Sequence, residues 1–204
     1  MRECARSQQG ETGMGGGYLG EAGDFLINTV TQLYAALVLL RFLLQAVRAD
    51  FRNPFAEAVV RLTTPALRPL RRVIPGWRGL DLAALVLMVA VLALGQLLQS
   101  WLLGKTPTLN GLLVTAIGQA LDLTLTVYIF VFLLLAVLSL VAPGYTPLGA
   151  LLHRLSEPLL APLRPLLPPV AGLDFTPLVA IIGLQLLRIL IVFPMLDLGR
   201  TMLS

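Results

Sequence analysis

Four arginines, Arg61, Arg68, Arg71 and Arg72, fall within twelve residues of a chain that is only 13% charged, and Arg154 and Arg164 recur 93 positions after Arg61 and Arg71. Guanidinium groups are planar donor forks suited to phosphate and carboxylate. Beside a membrane, each attracts anionic lipid headgroups by about 1 kcal/mol. These six residues are therefore the candidate lipid- or partner-binding set. A competing reading needs no ligand: the same arginines would hold their segments on the cytoplasmic side. Nucleic acid is not an expected partner, because the aromatic residues that would stack bases are missing from the cluster.

A second set of polar residues lies inside apolar runs: Arg41, Asp122, Gln185 and Arg188. Ionisable groups in such places are costly and are paired or functional. Arg41 stands about 10 Å from the inner end of its run at 1.5 Å per residue, near enough to snorkel to the interface. Arg188 lies about 21 Å and Asp122 about 29 Å from the inner end of their runs. A long arginine and a tilted helix span that difference of about 8 Å, so an Asp122–Arg188 pair is expected, as a tie between spans or as part of a polar path. Gln96, Gln99, Gln119 and Gln185 suit interhelical hydrogen bonding, with a conduit lining as the alternative.

Little else invites chemistry. Cys4 is the single cysteine and His153 the single histidine, which leaves no basis for a disulfide or a Cys/His metal site. Neither a nucleophile elbow nor a phosphate-binding glycine loop occurs, so no catalytic residue, cofactor or metal is assigned and an enzyme is not expected.

The elements that must position these residues follow from composition. Of 204 residues, 57% are hydrophobic, and the mean hydropathy is +0.85, which makes this an all-α membrane protein. Four runs, residues 25–47, 80–103, 109–141 and 175–196, are long enough for a hydrocarbon core of about 30 Å. The third exceeds one perpendicular span, and its first dozen residues suit either the span or the interface. Residues 1–23 are Gly-rich and are expected to form a flexible tail without a cleavable signal. Met14, just before the first apolar run, is a second candidate start.

An internal repeat organises the rest. Residues 53–81 and 146–174 align without a gap, with 12 of 29 positions identical, including Pro54/Pro147, Pro65/Pro158, Arg71/Arg164 and Asp81/Asp174. Residues 24–103 and 104–204 are thus two tandem repeats, each a transmembrane helix, an interfacial amphipathic helix and a second transmembrane helix. Two crossings return the chain to its starting side, so the repeats share one orientation. In the linkers Phe55, Ala58, Val59 and Leu62, and Leu148, Leu151, Leu152 and Leu155, form an apolar stripe. Asn53 and Thr146 suit the N-caps, and Pro65 and Pro158 are expected to end or kink the helices. Seven arginines between residues 48 and 78, against the lone Lys105 of the opposite loop, place both linkers in the cytoplasm and both termini outside.

The stretch "LLRFLLQAVRADFRNPFAEAVVRLTTPALRPLRRVIPGWRGLD", with its second copy ending "EPLLAPLRPLLPPVAGLDFTPL", resembles the YggT family of bacterial integral membrane proteins, called YlmG in Gram-positive bacteria and plastids. The resemblance covers residues 18–200. It implies two tandem YggT repeats in a bacterial inner membrane and associations with osmotic stress, ion uptake, cell division and, in plastid relatives, nucleoid distribution and cytochrome assembly. It brings no catalytic residue. Ala161 and Pro165 replace Arg68 and Arg72 in the second copy, so one half carries most of the charge. The leading expectation is a non-enzymatic membrane-organising, assembly or stress-response factor whose linkers meet anionic headgroups or a membrane-protein partner. The alternative is a small ion channel or transporter in osmotic adaptation, which four spans would build only as a homo-oligomer.

Overall fold

A computed structural model of the chain describes residues 14–48, 54–74, 81–102, 104, 106–141, 146–166 and 176–203. Four helical segments, Tyr18–Ala46, Leu82–Leu102, Leu109–Leu138 and Thr176–Leu203, are long and apolar enough to cross a membrane. The chain is a multi-pass membrane protein, all-helical over the described residues.

Helix α1 runs Met14–Ala46. The flexible tail expected over residues 1–23 is corrected from Met14 onward: once the span is helical, each added residue gains a hydrogen bond without a new nucleation cost, which outweighs the glycines. Residues 1–13 lie outside the described residues, as does Asn53. The helix ends in a turn at Arg48, whose φ of 49° is left-handed and whose N–H donates to the Gln45 carbonyl at 3.1 Å.

Helix α2, Pro54–Val73, continues through Pro65 and Pro69, so of the two outcomes expected of Pro65, an end or a kink, the helix does not end there. Each proline deprives the carbonyl four residues earlier of its partner. Those carbonyls belong to Arg61 and Pro65, both exposed positions, so the surroundings can hydrate them. Of the stripe expected to lie in the acyl region, Phe55, Ala58 and Leu62 are exposed and Val59 is buried. Ala56, Val59, Thr63 and Leu67 are buried, whereas Phe55 and Leu62 are 54% and 59% exposed. Inward residues thus recur every three or four positions, on a face adjoining the expected stripe.

Helix α3, Leu82–Leu102, follows the buried Asp81. Helix α4, Leu109–Val141, is one continuous helix, and Thr115, Ala116 and Ala120 are buried in its N-terminal half. Its opening turns therefore belong to the bundle. Helix α5, Pro147–Leu160, is capped by Thr146, whose hydroxyl accepts the Gly149 N–H at 3.0 Å. A Cβ on Gly149 would come within 2.7 Å of that hydroxyl, so the cap requires glycine there. The helix ends two residues after Pro158 and leads into a 3-10 turn, Arg164–Leu166. Here Leu151, Leu152 and Leu155 of the expected stripe are buried, and Leu148 is half-buried.

The last crossing is not uniform. Helix α6, Thr176–Leu187, passes into a π-helical turn, Arg188–Val192, and then helix α7, Phe193–Leu203. The Phe193 N–H donates to the Arg188 carbonyl, five residues back. Pro194 supplies the reason: it has no N–H to donate to the Leu190 carbonyl and its ring crowds it, and a widened turn relieves both.

Helix α1 packs against α3, and α4 packs against α6, the π turn and α7. Helices α3 and α4 join these groups, α2 lies on α1 and α3, and α5 lies on α4 and α6. Close approach depends on small residues, as is usual where lipid removes the hydrophobic drive between helices. A Cβ on Gly111 would stand 2.7 Å from the backbone of Met202 and Leu203, and one on Gly118 would stand 2.8 Å from Leu196.

Candidate functional site

Arg41 is buried against α2. It is 6% exposed, and its Nη1 donates at 2.9 Å to the Val60 carbonyl and to the hydroxyls of Thr63 and Thr64. The hydroxyls in turn donate to the carbonyls one turn back, Thr63 to Val59 at 2.7 Å and Thr64 to Val60 at 2.5 Å. The guanidinium has no need to reach water because α2 brings acceptors to it. Nothing local flags Thr63 and Thr64, since they lie 22 and 23 residues from Arg41.

Arg71 comes to the same place from the far end of α2. It forms an ion pair with the buried Asp81 at the start of α3 and approaches Gln45 Oε1 at 3.5 Å. Arg41, Gln45, Val60 and Arg71 line a pocket of about 330 Å³. Asp81 thus closes an ion pair between helices in addition to starting α3, the role expected from its position.

The other candidate arginines separate from this pair. Arg61, Arg68 and Arg72 are exposed on α2 and find no partner among the described residues. Arg154 donates to the Arg48 carbonyl at 3.3 Å, joining α5 to the end of α1. Arg164 pairs with Glu157 at 3.2 Å. The six therefore do not form one cluster: Arg71, Arg154 and Arg164 are engaged in holding elements together, and Arg61, Arg68 and Arg72 are open.

Within the spans the structure brings Asp122 and Arg188 together. The guanidinium is bidentate, Nε to Oδ1 at 2.5 Å and Nη2 to Oδ2 at 2.9 Å. It also lies 5.4 Å from the centroid of the Phe193 ring, a cation–π distance. Arg188 is the first residue of the π turn, so the backbone irregularity and the charge pair coincide. Gln185 does not join them; it is exposed on α6. Gln96 does something different: both amide atoms are buried, with no hydrogen-bond partner among the described residues.

Converging guanidinium donors recognise anions, and no group of three or more His, Cys, Asp or Glu side chains among the described residues is placed to hold a metal ion.

A family model described as CCB3/YggT matches the chain twice, over residues 22–102 and 114–195. The chain belongs to the CCB3/YggT family. Among similar proteins, an uncharacterized protein of Pseudomonas aeruginosa is 42% identical over 177 residues, covering 85% of this chain and 90% of the relative. The uncharacterized protein in the proC 3′ region of Vibrio alginolyticus is 39% identical, covering 79% and 89%. The uncharacterized protein YggT of Escherichia coli K12 is 36% identical, covering 80% and 86%. No solved structure matches the chain. The two YggT matches include, respectively, the α2 arginines with the Arg41 pocket and the α4–π-turn pair.

Proposed function

We propose that this YggT-family protein is a non-enzymatic organiser of the bacterial inner membrane, acting through α2 and α5 at the cytoplasmic face. The reading takes the chain as two tandem, same-orientation repeats with both linkers inside and both termini outside. Lipid headgroups are the first partner, and a membrane protein recruited to the same face is the second. Osmotic stress tolerance and cell division are the processes in which such an organiser would act.

One observation carries the reading. Helix α2 buries Ala56, Val59, Thr63 and Leu67 on the bundle while Arg61, Arg68 and Arg72 stay exposed. Phe55 and Leu62 are exposed beside them. A helix lying along the interface is held there by apolar residues in the acyl region and cations among the headgroups. Three such cations are worth about 3 kcal/mol on an anionic surface. In the test, Arg61, Arg68 and Arg72 are changed together to Gln and the co-purifying lipid and growth under osmotic shift are measured. Depletion of anionic lipid with loss of complementation is expected. A variant made at wild-type level that keeps both refutes the reading.

The Gln96 amide, without a hydrogen-bond partner among the described residues, favours a second reading, an oligomeric ion path through the spans near Asp122 and Arg188. Ion flux in proteoliposomes that Gln96→Leu abolishes would select it over the organiser.

A further inference from the structure

Among the described residues, the pocket between α1 and α2 holds more positive than negative charge. Arg41 and Arg71 both line it. Asp81 neutralises Arg71, whereas the acceptors of Arg41 are two hydroxyls and a carbonyl, all neutral. Arg41, 6% exposed inside an apolar segment, and Arg71 thus share one carboxylate among the described residues, which leaves one positive charge in excess. Buried charges are paired with few exceptions, because an unpaired one forfeits hydration without compensation.

We propose that this pocket binds one phosphate group in phosphoester form, which supplies the missing negative charge. The Nη1 donors of Arg41 are committed to α2, and its Nε and Nη2 make no hydrogen bond among the described residues, so an edge of the fork remains for an oxygen pair. Gln45, one turn further along α1, adds a polar wall, and Val60 an apolar one. Access is by way of Arg71, whose side chain is 42% exposed. The volume of about 330 Å³ accommodates a phosphoester headgroup. Arg41 lies five residues before the end of α1 at Ala46, about 8 Å of helix, the depth at which headgroups meet acyl chains.

The second half has no such site. Ninety-three positions later, Arg41 and Gln45 become Leu134 and Leu138, and Thr64 becomes Glu157, which pairs with Arg164. Where the buried guanidinium is absent, the remaining arginine finds a carboxylate within its own linker. One site per chain follows.

The inference rests on the proposed headgroup contact but requires one saturable site instead of a diffuse surface. In maltoside micelles, which contain no phosphate, purified protein is titrated with short-chain phosphatidylglycerol, with sn-glycerol 3-phosphate and with inorganic phosphate, and bound ligand is counted by native mass spectrometry. One equivalent of phosphatidylglycerol is expected, with affinity at least tenfold lower in Arg41→Leu, the residue the second half uses. The Arg61, Arg68 and Arg72 triple variant keeps it. Displacement by glycerol 3-phosphate or phosphate at similar concentration would identify a free phosphoester or phosphate ligand, and its failure a lipid. If Arg41→Leu does not fold, Gln45→Leu, which alters no charge, decides through a several-fold loss. No saturable binding of any probe, or binding unchanged in these variants, overturns the site. Loss of lipid in the triple variant alone would overturn the pocket while sparing the surface reading; loss in Arg41→Leu alone does the reverse.

Discussion

Replacing Asp122 by Asn tests how far the last crossing depends on its charge pair. The carboxylate holds Arg188 through two hydrogen bonds at 2.5 and 2.9 Å. Two unit charges about 4 Å apart attract by about 4 kcal/mol at an effective dielectric near 20. Removing one member of a buried pair costs about 3–5 kcal/mol, chiefly because the survivor is left uncompensated. Here the side chains are 26% and 24% exposed, and asparagine still offers one neutral acceptor, so the expected loss is about 2–3 kcal/mol. Unfolding by dodecyl sulfate in mixed micelles, followed by circular dichroism, measures it. Arg188→Gln and the double variant complete a cycle, in which a coupling of at least about 1.5 kcal/mol is expected. Interhelical hydrogen bonds in membranes average about 0.6 kcal/mol. A loss no larger than that, or an additive cycle, would show that the pair is an ordinary contact and refute the argument from uncompensated charge.

Two further variants probe the packing. Gly111→Ala drives a Cβ into the backbone of Met202 and Leu203, which cannot rotate away, so a loss of about 1–3 kcal/mol is expected in the same assay. Gly183→Ala meets nothing within 4 Å and should gain up to about 1 kcal/mol from helix propensity; equal effects would refute the packing account. Gln96→Leu removes two buried polar atoms without partners among the described residues and should stabilise the bundle by about 1–3 kcal/mol. Destabilisation would instead mean that the amide holds a water, an ion or a neighbouring chain.

Much of the architecture was legible because it depends on properties summed along the chain. Four crossings follow from run length and hydropathy, and the cap of α5 from Thr146 before Pro147. Even the Asp122–Arg188 contact was accessible, since depth along a helix is a count of residues and few intramembrane charges compete for a partner. The continuity of α4 was not, because a run of its length suits one tilted helix or an interfacial turn followed by a span. Nor did the glycines before Tyr18 reveal that α1 starts at Met14.

What the sequence by itself determined is therefore the number of crossings, their order and the kinds of polar residue that must find partners within them. Only the tertiary structure decided which partners they found. Each residue turns a helix by about 100°, so neighbouring positions of α2 face different surroundings. Ala56, Val59, Thr63 and Leu67 meet the bundle while Phe55 and Leu62 stay exposed, and only that packing brings Thr63 and Thr64 to Arg41. The split of six similar arginines into engaged and open ones has the same origin: carboxylates and carbonyls far along the chain, at Asp81 and Arg48, come within reach only once the helices have packed.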